Sequence, residues 1–259
     1  MTVDADRALR TVTATRYVMA LREGGSLPGL VEADDDGMYV MKFRGAGQGV
    51  AALVAEVVAG ELARSLRLLV PELVVAWLEP ELARAEPDTE IQELAAASVG
   101  ANLGVDFLPG ALPFTPAAAG AMDPELTAQI VWLDALVMNV DRTPRNPNLL
   151  AWHGRVWLID HGAAFYRQHG EAPLADSADA PFALIRDHVL LSRAGSIVEA
   201  DERLASVALE AISGSVARVP ESWLGDDPAG RRADFEAFLR ERLSAPRAFV
   251  EEAEDARTA

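Results

Sequence analysis

Two acids and an amide, set in two short polar turns, carry the densest chemistry in this chain. Asp141 and Asn146 stand five positions apart in the loop Asn139-Val-Asp-Arg-Thr-Pro-Arg-Asn-Pro-Asn148, and Asp160 ends the apolar run Trp157-Leu-Ile ahead of His161 and Gly162. Such a set suits phosphoryl transfer, which asks little covalent chemistry of a protein. It needs a carboxylate to orient or deprotonate an acceptor hydroxyl, and hard oxygen atoms to hold Mg2+ against phosphates. The D-x-x-x-x-N spacing can supply both from one loop. A strand ending in Asp-x-Gly puts a carboxylate at its tip, where glycine permits a tight turn. Either half alone also fits an ordinary turn, because Asp, Asn, Pro and Gly are turn formers. The two in order, one hairpin apart, are a narrower coincidence.

A third part lies far upstream. Lys42 is the only lysine in the chain, every other strong base being arginine, and it lies near the end of the strand-like run Met38-Tyr-Val-Met-Lys42-Phe43. Lysine is a compact point charge on a flexible stem, arginine a planar fork, so the two are not interchangeable against a phosphate. A glutamate on the following helix would hold that ammonium. Glu56 sits among Val54, Val57 and Val58, where an unpaired charge would be costly. Glu61 is the rival. Five residues along a helix turn roughly 140° further round, so both cannot face Lys42, and Glu56 is favoured.

Composition narrows the classes. The chain has 259 residues, half of them apolar, enough for one large domain or two small lobes around a packed core. A formal net charge of −17 argues against a nucleic-acid surface, which needs clustered Lys and Arg. The absence of cysteine excludes disulfides and thiolate zinc sites and agrees with a cytoplasmic location. No apolar run reaches membrane-spanning length, and Met1-Thr-Val-Asp-Ala-Asp6 lacks the basic and apolar regions of a signal peptide.

The elements that must position these residues can be read coarsely. Residues 27–33 and 38–43 read as strands joined by the Asp34-Asp-Asp-Gly37 turn. A flexible connection at 45–49 leads to a helix over 50–67 that ends before Pro71, and Leu73 to Leu78 reads as another strand. Residues 81–98 read as a short helix or an excursion. An apolar strand within 100–116 dissolves into Pro and Gly, as a linker would. Asp123-Pro124-Glu125 is a helix start, with a capping acid and proline at the first position, and the helix should run to about Met138. Residues 149–152 and 156–159 make a hairpin about His153-Gly154. Helices are expected near 182–191, 199–213 and 229–254. A strand-rich half followed by a helix-rich half suggests two lobes with a cleft between them.

These residues resemble the HipA-like kinases, a bacterial branch of the protein-kinase-like superfamily that is also similar to phosphatidylinositol 3/4-kinases. The similarity spans roughly residues 20–165. It rests on Gly24-Gly-Ser-Leu-Pro28, Val40-Met-Lys42-Phe43, Ala55-Glu56, Asn139-Val-Asp141-Arg142 with Asn146-Pro-Asn148, and Leu158-Ile-Asp160-His-Gly162. The resemblance implies an α+β, bilobal protein-kinase-like fold. Its N-lobe, residues 1–105, would be small and β-rich with one helix, and its C-lobe, residues 106–259, mainly helical. It further implies an ATP- and Mg2+-dependent phosphotransferase acting on a Ser/Thr hydroxyl of a protein. Asp141 would be the catalytic base, and Asn146 and Asp160 the Mg2+ ligands. Lys42, held by Glu56, would meet the ATP phosphates, with Gly25 and Ser26 in the phosphate-binding loop. The segment Val105-Asp106-Phe107-Leu108 would be a hinge that binds adenine through its backbone, with Asp106, Phe107 and Leu108 as the binding residues. Ser26 would also be open to autophosphorylation.

The chain departs from that pattern in places. No G-x-G-x-x-G precedes the lysine strand, and Asn139-Val140 stands where ordinary kinases carry a histidine-arginine pair. Beyond residue 165 little matches. Competing readings are a lipid or small-molecule kinase on the same fold, a non-catalytic nucleotide-binding pseudokinase, and a dinucleotide-binding unit around Gly45-x-Gly-x-Gly49. The last has the wrong glycine spacing and leaves 139–162 unexplained.

Overall fold

The computed structural model describes residues 8–21, 27–47, 49–85, 88–169, 172–244 and 246–259. It is a mixed α+β chain that begins with strands and continues mainly as helices. Strands β1 (Thr11–Ala20), β2 (Gly29–Ala33) and β3 (Met38–Lys42) lead into helix α1 (Gly49–Ser65). After β4 (Leu73–Leu78) come two short helices, α2 (Pro80–Ala85) and α3 (Thr89–Ala96), and then β5 (Gly100–Asp106).

These five strands close on themselves in the order β1-β2-β3-β5-β4. Four of the junctions are antiparallel and one, β1 with β4, is parallel (Thr11 opposite Val75, Thr13 opposite Trp77). That topology removes the dinucleotide-binding reading. β5, antiparallel to both, lies between β3 and β4 in a closed and mainly antiparallel barrel, whereas a dinucleotide-binding unit sets the two strands side by side in an open parallel sheet. The β2–β3 turn has the expected local chemistry: Ala33 N–H donates to Gly37 O at 3.0 Å, and Gly37 N–H donates to Asp35 Oδ1 at 3.0 Å. β1 was not foreseen. Its alternation buries Val12 and Ala14 but is broken by register shifts at Ala14/Arg16 and Tyr17/Met19.

The barrel encloses a small core of Val12, Val31, Tyr39, Met41, Phe43, Val74 and their neighbours. α1 belongs to a second, larger core shared with the helices that follow. Its residues Leu53 to Ala63 are buried on every side, which explains an apolar sequence without a polar stripe.

Past β5 the chain adds the two-residue strand β6 (Leu112–Pro113) and helix α4 (Pro124–Leu136), then β7 (Leu149–Trp152) and β8 (Arg155–Leu158). β6, β7 and β8 form one small antiparallel sheet, so the Pro/Gly stretch read as a linker also donates a strand. α4 starts as expected: Asp123 caps Glu125 N–H at 3.0 Å, with Pro124 in the first turn. The remaining helices are α5 (Ile197–Ala217), α6 (Pro228–Arg242) and α7 (Ala248–Thr258).

Two expectations change here. The helix expected over 182–191 is a pair of short 3-10 turns. The single helix expected over 229–254 is α6 and α7, interrupted just before Pro246, which can neither donate in a helix ladder nor tolerate a helical neighbour before it. Among the described residues, no helix is long and apolar enough to cross a membrane.

Candidate active site

Lys42 ends β3, Glu56 lies in the second turn of α1, and Asp160 follows β8. The Lys42 ammonium donates to Glu56 Oε2 at 2.7 Å and to Asp160 Oδ1 at 2.7 Å. Glu61 faces elsewhere and is paired with Arg218 at 3.1 Å. The Glu56 side chain is 2 % exposed, whereas that of Asp160 is 47 % exposed. Burial alone would lower the Lys42 pKa, but the two carboxylates outweigh it and hold the ammonium above the usual lysine range. Burial would likewise raise Glu56, and the ammonium overrides it, leaving Glu56 well below the usual carboxylate range. Glu56 therefore anchors the lysine, while Asp160 stays open to a ligand. His161, fully buried, packs behind this group with Nδ1 3.6 Å from Glu56 Oε1.

Asp160 has a left-handed backbone, φ +56. That region is unfavourable for a residue with a Cβ, by about 1–2 kcal/mol, and Asp is among the side chains that tolerate it.

The Asp141 loop is wired internally. Asp141 N–H donates to Asn139 Oδ1 at 3.2 Å, and the amides of Asn146 (2.7 Å) and Asn148 (3.2 Å) both donate to Asp141 Oδ2. One oxygen of Asp141 is thus held by two donors, and the other is left for an incoming group. Burial pushes the Asp141 carboxyl up, the Asp160 charge adds to it, and the two amides work against that rise. A half-buried carboxylate with a raised pKa is suited to accept a proton.

Four supporting residues were not singled out from sequence: Asp134, Arg142, His188 and, in its full role, Asn148. Asp134 lies inside α4 with no exposure, and Arg142, next to Asp141 in its loop, is equally buried. Arg142 Nε donates to Asp134 Oδ2 at 2.5 Å, while Arg142 Nη1 bridges the carbonyls of Asn148 and, at 3.3 Å, Ile159. Asn139 Nδ2 donates to the other oxygen of Asp134 at 2.9 Å. Leu190 N–H donates to His188 Nδ1 at 3.1 Å, so the ring proton sits on Nε2, which meets Asp134 Oδ2 at 3.0 Å. Burial lowers the His188 pKa despite Asp134, so this last contact is a hydrogen bond from a neutral ring. The Asp141 loop and the Asp160 strand end are thereby tied to one buried arginine, helped by Ile159 N–H donating to Asn148 O at 3.1 Å. An acid in the middle of an apolar helix was the available signal for Asp134.

Between the barrel and the small sheet lies a cavity of about 700 Å³ lined by Val40, Lys42, Val105, Leu108, Ile159 and Asp160 among others. This volume is within the range of ligand pockets, about 300–1,000 Å³. The three hinge residues border it but are not equivalent. Asp106 N–H donates to Glu72 O at 2.8 Å and Phe107 N–H to Met38 O at 3.0 Å, so neither is available. Leu108, buried, has an N–H with no partner among the described residues. Gly25 and Ser26 lie outside the described residues.

Mg2+ can be tested against the donor set. Among the described residues no group of three or more His, Cys, Asp or Glu side chains converges, so an all-protein cage is absent. A half-exposed Asp160 carboxylate and the Asn146 amide oxygen suit an ion that keeps several waters and takes its remaining ligands from phosphates. The residues fit Mg2+ delivered with a nucleotide.

Residues 15–245 match the family described as HipA-like kinase. Among solved structures, the crystal structure of a Helicobacter pylori proinflammatory kinase, CtkA, has a similar fold with a TM-score of 0.54. The two chains are 12 % identical, and the likeness covers 96 % of this chain and 98 % of that one. No curated protein matches the sequence.

Proposed function

The chain belongs to the HipA-like kinase family, and on that footing we propose that it is an ATP- and Mg2+-dependent phosphotransferase whose acceptor is a Ser or Thr hydroxyl of a protein. The observation that carries this reading is the shared grip of Glu56 and Asp160 on the chain's only lysine, at the wall of a ligand-sized cavity. An ammonium fixed by one buried carboxylate and shared with one open one is a preset phosphate contact. In the reading, residues 1–105 form the N-lobe and 106–259 the C-lobe, with the nucleotide between them and adenine set against Leu108 N–H. Gly25 and Ser26 belong to its phosphate-binding loop. The location is cytoplasmic.

Asn146 and Asp160 would hold Mg2+, which supplies positive charge to the β- and γ-phosphate oxygens when bound. Lys42 neutralises phosphate charge from the barrel side. Asp141 accepts the proton of the acceptor hydroxyl as its oxygen bonds to the γ-phosphorus. The bond from that phosphorus to the bridging oxygen breaks, and its electrons leave with ADP. Asn146 and Asn148 hold Asp141 Oδ2, so that Oδ1 meets the hydroxyl.

The test is transfer of label from γ-labelled ATP with Mg2+ to a mixture of bacterial proteins, beside Asp141→Ala. Label that appears on Ser or Thr residues with the wild type and not with the variant is the expected result. Label on lipid or small molecules moves the acceptor class. ATP-dependent stabilisation without any transfer leaves a nucleotide-binding protein and ends the proposal.

A further inference from the structure

Against the outer part of the Asp141 loop runs a second cavity of about 740 Å³. Its walls come from three stretches of chain: the outer part of the loop itself, the 3-10 turns after Phe182, and the end of α7. Arg145, Arg186 and Arg257 line it against a single acidic side chain, that of Asp187. This is the reverse of the chain as a whole, where 40 acidic residues outnumber 23 basic ones. Only Arg257 is held by a carboxylate, that of Glu254. Arg186 uses Nε on Ala183 O at 2.8 Å and leaves its other donors to solvent. Arg145 is exposed and has no hydrogen bond or ion pair among the described residues.

The groove is joined rigidly to the proposed catalytic base. Val189 N–H donates to Arg142 O at 3.0 Å, and His188, in the groove wall, hydrogen-bonds Asp134 beneath the loop. Thr143, on the opposite wall, donates its N–H to Asp141 O at 3.0 Å. A molecule seated here is therefore at a fixed distance from Asp141.

We propose that this groove docks the protein acceptor through an acidic segment flanking the phosphorylated hydroxyl. The inference rests on the kinase reading and gives it a substrate class. Buried, convergent donors would mark a site for a small free anion. Here the arginines are exposed and stand on separate walls, an arrangement that matches carboxylates spread along an extended peptide. Complementary charge of this kind steers encounter and fixes register.

The experiment has a binding arm and a transfer arm. A fluorescent Ser-containing peptide rich in Glu and Asp is titrated into the full chain, beside a Gln/Asn peptide of equal length. The acidic peptide should bind more tightly, weaken with added salt, and lose roughly tenfold in affinity in Arg145→Glu/Arg186→Glu. The milder Arg145→Gln/Arg186→Gln should show the same trend, and ATP-dependent thermal stabilisation should be unchanged in both. Equal binding of the two peptides, or full affinity in both double variants, overturns the inference. In the transfer arm, phosphorylation without preference for acidic flanks overturns it while leaving the kinase reading intact. Selective binding with no transfer to any peptide leaves the groove standing and sinks the kinase reading instead.

Discussion

Lys42 Nζ lies 2.7 Å from Asp160 Oδ1 although the two residues are 118 positions apart in the chain. Nothing local joins them. β3 delivers one and the turn after β8 the other, and the same ammonium reaches Glu56 on α1. Three elements thus depend on one side chain.

Replacement of Lys42 should be correspondingly severe. Lys42→Met leaves two carboxylates facing each other without a cation, and label transfer from ATP should fall at least about 100-fold. Lys42→Arg should fare little better, because a planar fork cannot place one donor between Glu56 and Asp160. Activity near the wild-type level in Lys42→Arg would contradict a point-charge role.

The two glutamates of α1 should separate cleanly. Glu56→Gln weakens the hold on Lys42 and should lower nucleotide affinity and turnover together. Glu61→Gln, whose partner is Arg218, should alter the melting temperature without touching ATP affinity. Calorimetric titration with ATP and Mg2+ distinguishes them, and equal affinity losses would place the anchor wrongly.

Adenine should be preferred to guanine. Leu108 N–H is a donor, and adenine N1 is an acceptor where guanine N1 carries a proton. Two donors facing each other leave a buried group unpaired, at a cost of about 1–3 kcal/mol. ATP should therefore bind roughly 5- to 150-fold more tightly than GTP. Indifference between them in a competition assay would remove Leu108 from the nucleotide site.

Arg142 should matter more for stability than its place in a loop suggests. It is buried with Asp134, and Arg142→Met strands that carboxylate in the core, which costs about 3–5 kcal/mol. Denaturant unfolding reads the loss directly. The double variant Asp134→Leu/Arg142→Met should recover part of it, and additive losses would show that the pair is not coupled.

Stability should fall on acidification through the same cluster. Burial holds His188 below the usual histidine pKa of about 6.5, so the unfolded chain takes a proton there before the folded one. Stability from this group is complete above that value and declines below it. Burial would raise Asp134, but Arg142 and His188 hold it well below the usual Asp range, so its contribution goes in the same direction at lower pH. Between about pH 7 and 5 the wild type should lose melting temperature faster than His188→Gln. Parallel curves would assign the titration elsewhere.

Features written in local chemistry were legible in the sequence. The Asp34–Gly37 turn, the Asp123-Pro124 helix start and the strand end at Asp160 need only neighbouring residues. β1 was not legible, because bulges break its alternation and its pairing with β4 joins Thr11 to Val75. Phe182, Ile185 and Val189 have nearly helical spacing, yet no helix forms over them. There Val189 N–H goes to Arg142 O and Leu190 N–H to His188, and these tertiary bonds prevail over periodicity. The hinge shows the same limit from the other side. Sequence marked three residues, but only the strand pairing and turn bonds reveal that two of their N–H groups are already engaged. Asp134 escaped notice because its partners, Arg142 and His188, lie in other elements.

The burial of α1 bears on how such an enzyme could be throttled. In many protein kinases the helix carrying the lysine's glutamate swings outward to switch the enzyme off. Here that helix is buried from Leu53 to Ala63 and packs against α5. Rolling it away would tear open the larger core at a cost of several kcal/mol, since each fully exposed Val or Leu forfeits about 1.5–3 kcal/mol. An inhibitor or partner protein that plugs an opening or displaces a loop, with the Glu56 clamp left shut, would silence this chain without meeting that cost.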